Sequence, residues 1–479
     1  MRKNLVVPSL LLLSSLVLTT ACSSGAPSSS GTGPAAVGAG SSPTAANRGV
    51  DPSKIKGLDI VSDNSEHGSC PFATSYPAVP GAEATTAVMK KYVEERLSTF
   101  RETACASGSA VNQDHELNIS YTFLAASGDV LGVRLSTQDG SAAGSGLSTN
   151  TYWYDGKDRT YRAAPGLVAD GFRDAFVAEL KKQLKGRQGI DAAQLDGAFD
   201  DTSRAATLAD MSFTADGGLR VEFDRGVVGV PAAGTYLVTL PETTVTPWLS
   251  GFGKRAQRQT VHPSGTLDLG ATHTTAPAVP TESASSTDST DCKQVKCIAL
   301  TFDDGPAAPE TATLLTYLAK YRARVTFFTV GQNVAAHPEL VRAEARAGHE
   351  VGNHSWNHPD LTKLSPEMIA SQLSRTSAAI KAATGKEPTL FRPPYGAINS
   401  TVRAATALSP VLWDVDTEDW KYPDAARVAQ TVITKAARNS VVLMHDIHPT
   451  SVAAVPEILR TLTARGFHFV TVSHLRATL

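Results

Sequence analysis

Two adjacent carboxylates sit in the hexapeptide Thr301-Phe-Asp303-Asp304-Gly-Pro306, which ends an apolar run that begins at Cys297. A short apolar run stopped by Asp-Asp-Gly-Pro reads as a buried strand delivering both acids at its C-terminal tip. Neighbouring strand residues point to opposite faces, so Asp303 and Asp304 need not share a job: one can hold a metal while the other stands as a base. Alone, the hexapeptide is also a common strand-ending turn, and its partners downstream decide. His354 and His358 lie four residues apart in Gly352-Asn-His354-Ser-Trp-Asn-His358, a spacing that one helical turn or a tight loop converts into a shared metal face. Ser355 stands where the glutamate of an HExxH motif would be, which sets the zinc proteases aside. The third ligand must come from elsewhere, and Asp304 is the best candidate. Two imidazoles and one carboxylate leave positions open for water and substrate; zinc is the default divalent ion for such a set, with cobalt, manganese or nickel as alternatives.

These residues need a scaffold that brings distant segments together. Apolar runs recur at 297–303, 325–330, 350–354, 390–395, 411–416, 441–445 and 468–472, with helical stretches between most of them. The clearest helix starts after Ser365 as N-cap with Pro366 in the first turn and stops at Gly385; Ile369, Leu373, Thr376, Ile380 and Ala383 fall on one face. Seven such repeats predict an α/β fold, a distorted (β/α)7 barrel one unit short of the usual eight. Polar clusters collect where such a barrel puts its active site, at strand C-termini: the two aspartates, the two histidines, Arg392-Pro-Pro-Tyr395, Asp416-Thr-Glu-Asp419-Trp420, and Leu443-Met-His445-Asp446. Core packing does not favour charge, so five such clusters point to a site.

As a set, these segments resemble the five motifs of the polysaccharide deacetylases, the NodB-homology or carbohydrate esterase family 4 enzymes, over residues 292–479. The resemblance implies that Asp303 is a general base and that Asp304, His354 and His358 hold a divalent metal. It further implies that Arg392 orients Asp303, that the Tyr395 backbone N–H helps form an oxyanion hole, and that His445 is the general acid tuned by Asp419. Trp420 would wall the pocket and Leu443 would shape the acetyl slot.

The rest of the 479 residues supply an address and a second folded region. Arg2 and Lys3 precede an apolar segment from Leu5 to Leu18, then Thr19-Thr-Ala-Cys22. This reads as an export signal, residues 1–21, with Cys22 as the lipidation site; plain secretion is the runner-up. Residues 22–50 are a Ser/Gly/Ala/Pro tether, 51–260 an α+β domain with an antiparallel sheet, 261–291 a linker, and 292–479 the deacetylase-like domain. Phe213 through Phe223 and Gly234-Thr-Tyr236 resemble the extracytoplasmic domain of RsiV-type anti-sigma factors, which implies a contact with lysozyme or glycan. The formal net charge is −2, which gives no basic field for nucleic acid, and the membrane is reached only through the N-terminal lipid. With Cys22 set aside, an oxidising compartment favours two local disulfides, Cys70–Cys105 and Cys292–Cys297. The expected activity is N-deacetylation of peptidoglycan amino sugars. The alternatives are an O-acetyl esterase on a polysaccharide such as xylan and, from another class, a wall-anchored lysozyme- or glycan-binding receptor.

Overall fold

A computed structural model describes residues 50–65, 70–104, 115–140, 146–270 and 288–478. Cys22, the tether and Cys105 lie outside the described residues, as does most of the Ser/Thr-rich linker. Among the described residues no helix is long and apolar enough to cross a membrane.

The N-terminal region is α+β. Its larger sheet runs in the order Asp59–Asn64, Phe72–Ala78, Leu117–Ser127, Val130–Asp139, Gly146–Asp155 and Thr160–Ala163. Every pairing is antiparallel except that of Phe72–Ala78 with Leu117–Ser127. Between those two strands the chain makes the helix Glu83–Ala104, and a crossover of that length returns the chain parallel. Met89, Val93, Leu97 and Phe100 of this helix pack on Leu117, Ile119, Tyr121, Leu131 and Val133 of the sheet. A second sheet, Asp210–Phe213, Leu219–Phe223 and Tyr236–Leu240, is antiparallel throughout. Fully buried Trp153 joins the two sheets, meeting Phe213 and Phe252 edge to face at 6.3 Å.

The C-terminal region is a curled, all-parallel sheet. Its order is Ser409–Pro410, Leu390–Phe391, Glu350–Asn353, Thr326–Thr329, Lys296–Asp303, Val441–His445 and Val415–Asp416, with Phe467–Phe469 added beside Lys296–Ile298. The expected seven-unit barrel is therefore corrected in one respect. The run 411–416 is not a single strand: Ser409–Pro410 and Val415–Asp416 sit at opposite ends of the sheet, and the chain between them forms an open seam. Pro410 has no N–H to offer a further strand on its open side, so the sheet ends there. The helix Pro366–Thr384 is capped by Ser365 Oγ, which accepts from Met368 N at 3.3 Å, and ends at Gly385 with φ of 79°.

Just ahead of the first parallel strand, Cys292 and Cys297 are bridged, five residues apart and fully buried. Arg438 Nη2 donates to the carbonyls of Cys292 and Lys293 at 2.6 Å, so the loop is tied to the turn that enters the neighbouring strand Val441–His445. A loop this short restricts the unfolded chain modestly. Replacing both cysteines by serine is expected to cost about 2 kcal/mol, read as a lower thermal midpoint with unchanged metal content.

Candidate active site

Asp303 is the last residue of the strand Lys296–Asp303, and Asp304 turns out of it with φ of 74°. That left-handed turn is held from both sides: Asp304 N donates to Phe328 O at 3.1 Å, and Asn333 Nδ2 donates to Asp304 O at 2.8 Å. Gly305 follows because a Cβ there would clash with the Asp446 carboxylate. Burial, with the charge of Asp304 adding to it, pushes Asp446 up to about 7 against the hydrogen bond it accepts from Thr311 Oγ1.

The two aspartates do separate. Asp303 Oδ1 accepts from Arg392 Nη1 at 2.7 Å, and neither side chain is exposed. The same Nη1 reaches Thr301 Oγ1 at 2.8 Å, Nε reaches Val411 O at 3.2 Å, and the guanidinium lies over the ring of Phe328 at 4.4 Å. A buried cation is tolerable only when paired and hydrogen-bonded in this way. Asp304 Oδ1 instead faces the histidines, 3.5 Å from His354 Nε2 and 3.6 Å from His358 Nε2. His354 Nδ1 lies 2.7 Å from Arg392 O, a carbonyl that only accepts; the proton is therefore on Nδ1, and the Nε2 lone pair faces Asp304. His358 adopts φ of 56°, with its N–H donated to Ser355 Oγ at 3.1 Å, so a tight loop rather than a helical turn brings the second imidazole round.

The three ligand atoms, all buried, lie within 4.8 Å of one another, and Asp304 Oδ1 accepts no hydrogen bond. Two imidazole nitrogens and one carboxylate oxygen, held together in a buried pocket, fit a divalent ion of the zinc type.

On the other side, His445 Nδ1 is 2.8 Å from Asp419 Oδ1, while Asp419 Oδ2 accepts from His445 N at 2.9 Å and Ser451 Oγ at 2.5 Å. Burial alone would raise the Asp419 carboxyl; the charge and hydrogen bonds of His445, with help from His448 and Ser451, bring it down to about 2. His445 Nε2 lies 3.9 Å from Asp304 Oδ2. Tyr395 sits at φ of 60° with its ring on His358, centroids 4.7 Å apart. Trp420 is half-buried next to Asp419, and its backbone N donates to Asp419 Oδ1 at 3.1 Å. Leu443 is fully buried beside Thr301 and Asp416 in the sheet.

Some participants carry no signal in the sequence. Thr301 and Ser451 each hold one member of a charged pair, yet look like ordinary strand and helix residues. Asn64, from the N-terminal sheet, donates through Nδ2 to Asp304 Oδ2, although the sequence offers no candidate for this site upstream of Asp303. Glu116, which with His115 reads as part of a solvated turn, is buried and accepts from Asp360 N at 2.8 Å.

The polysaccharide deacetylase family model matches residues 290–410. The chain is similar to the peptidoglycan-N-acetylglucosamine deacetylase PgdA of Listeria monocytogenes, with 44% identity over 183 residues, 38% of this chain and 39% of that protein. It is equally similar to the peptidoglycan-N-acetylmuramic acid deacetylase PdaC of Bacillus subtilis, 44% over 180 residues, 38% of each chain. The peptidoglycan-N-acetylglucosamine deacetylase of Bacillus cereus is 39% identical over 192 residues, 37% of this chain and 69% of that protein. The match thus spans well under half the length of the first two relatives and about two thirds of the third. With 69% of that third protein covered at 39% identity, the chain belongs to the polysaccharide deacetylase family.

Proposed function

We propose that this chain is an exported, metal-dependent N-deacetylase that removes acetyl groups from the amino sugars of cell-wall peptidoglycan. The observation that carries the reading is the placement of two charged pairs, Asp303–Arg392 and Asp419–His445, on either side of a His/His/Asp triad. A divalent ion held by Asp304, His354 and His358, zinc by preference, would polarise the acetamide carbonyl and acidify the attacking water. Asp303 takes the proton of that water. Arg392 clamps its Oδ1 and leaves Oδ2 turned toward the triad, 3.8 Å from His354 Nε2. The Tyr395 N–H is the donor assigned to the oxygen that gains charge. An amine leaves only when protonated, and His445 supplies that proton from Nε2 because Asp419 holds its Nδ1–H. Trp420 and Leu443 are assigned to the pocket wall and the acetyl slot.

The relatives named above act on peptidoglycan, and the export signal with Cys22 as a lipid anchor would set this chain facing the wall. The RsiV-like pattern of the N-terminal region assigns it a contact with lysozyme or glycan. A bifunctional xylanase/xylan deacetylase of Cellvibrio japonicus is also 40% identical over 174 residues, so the O-acetyl esterase reading is tested alongside. Zinc-loaded protein is incubated with peptidoglycan and with acetylated xylan, and acetate and free amine are measured. One amine released per acetate from peptidoglycan is the expected result. Acetate from xylan without amine selects the esterase, and no acetate from either polymer overturns both.

A further inference from the structure

The proposed base, acid and metal ligands are shut away from solvent: Asp303, His354 and His445 are 0% exposed, Asp304 3% and His358 4%. A glycan polymer cannot reach them as they lie, and the N-terminal domain lies directly against Asp304 and His358. Asn64 ends the edge strand Asp59–Asn64 and is 4% exposed. Its Nδ2 donates to Asp304 Oδ2, the carboxylate oxygen on the His445 side, while Oδ1 of the same carboxylate faces the two histidine ligands. The Asn64 Oδ1 acceptor is buried and takes no hydrogen bond. The space left around Asn64, Thr74, Ile119, Asp304 and His358 is about 30 Å³, enough for a water or two and far below the several hundred Å³ of a ligand site.

The side chain of asparagine is itself an acetamide, a carbon bearing C(=O)–NH2, with the donor and acceptor of the acetamido group on an N-acetylated sugar. It is bonded to a metal-ligand carboxylate oxygen that itself lies 3.9 Å from Nε2 of the proton donor His445. We propose that the N-terminal domain is an intramolecular plug of the deacetylase site, and that Asn64 occupies it as a mimic of the substrate's acetamido group. The proposal rests on the deacetylase reading for the identity of what is mimicked; the plug itself does not.

The hydrogen bonds that seat the domain run between side chains and backbone, and Ala336 adds an apolar contact with the N-terminal core. Asn118 Nδ2 donates to Asn357 O at 2.9 Å and His358 O at 3.0 Å, Gln332 Nε2 donates to Tyr121 O at 2.7 Å, and Glu116 receives Asp360 N. Polar contacts of this kind are made as readily with water, so such an interface opens without exposing a large apolar face. The closed form is inactive, and turnover follows undocking.

Two full-length variants test this. Asn64→Ala removes the mimic. The pair Glu116→Ala with Gln332→Ala loosens the seat without touching Asn64 or the triad, and remains informative should Asn64→Ala fail to fold. Each is loaded with zinc, and two rates are read: loss of zinc to EDTA, and acetate release from an N-acetylglucosamine tetramer. Loss of hydrogen bonds to charged or buried partners is expected to raise both rates about tenfold. Unchanged zinc loss in both variants, with native-like melting, overturns the plug. Slower acetate release in both overturns it too and makes the domain part of the substrate site. Faster zinc loss without acetate from any form keeps the plug and retires the deacetylase reading.

Discussion

Asp303→Asn, loaded with zinc, is expected to hold the metal and lose about a thousandfold in turnover. Asparagine can still accept from Arg392 through its amide oxygen, so the geometry around Thr301 and Val411 has reason to persist. It cannot take a proton. Losing the charge opposite a fully buried guanidinium carries a stability cost of about 3 kcal/mol or more, so melting is measured alongside. Asp304→Ala should behave differently: removing the carboxylate that faces both imidazoles lowers zinc content and activity together. Metal analysis of the two purified variants separates the roles. Zinc lost from Asp303→Asn and kept by Asp304→Ala would reverse the assignment.

Asp419→Asn is the second large effect, with turnover expected to fall about a hundredfold. The carboxyl is held down to about 2, so it is ionised at any working pH and its charge favours the imidazolium of His445. Without it, the basic limb of the activity profile should move to lower pH by about one unit. The linkage has a definite sign. A depressed carboxyl stabilises the fold fully above its unfolded value near 4, and that contribution is lost as pH falls toward 2. Between those limits the wild-type protein should therefore lose stability on acidification more steeply than Asp419→Asn. An unmoved basic limb in this variant would detach Asp419 from His445.

The features legible in the sequence are those with local causes. The Asp-Asp-Gly-Pro stop, the capped helix Pro366–Thr384 and the four-residue spacing of His354 and His358 each follow from a few neighbouring residues. The strand Phe72–Ala78 escaped notice because it contains Pro77 and is buried on both faces, so it lacks alternation. The strand Asp59–Asn64 is polar at its end for a reason visible only across the chain: Asn64 meets a residue 240 positions away. Contacts of that range leave no periodicity behind. The same holds for Glu116, whose charged surroundings imitate a solvated turn while its carboxylate caps a backbone N–H of the other domain.

The open seam between Ser409–Pro410 and Val415–Asp416 has a consequence for Arg392. In a closed barrel the carbonyls of every strand are consumed by ladders, and a guanidinium in the dry interior would find none to spare. Here the strand order breaks at Val411, whose N–H bonds to Phe391 while its carbonyl turns inward to Arg392 Nε. The missing stave thus frees a main-chain acceptor for a buried cation, and the cation in turn holds Asp303 Oδ1 in place. Closing this seam with a further strand would regularise the barrel and strand its arginine.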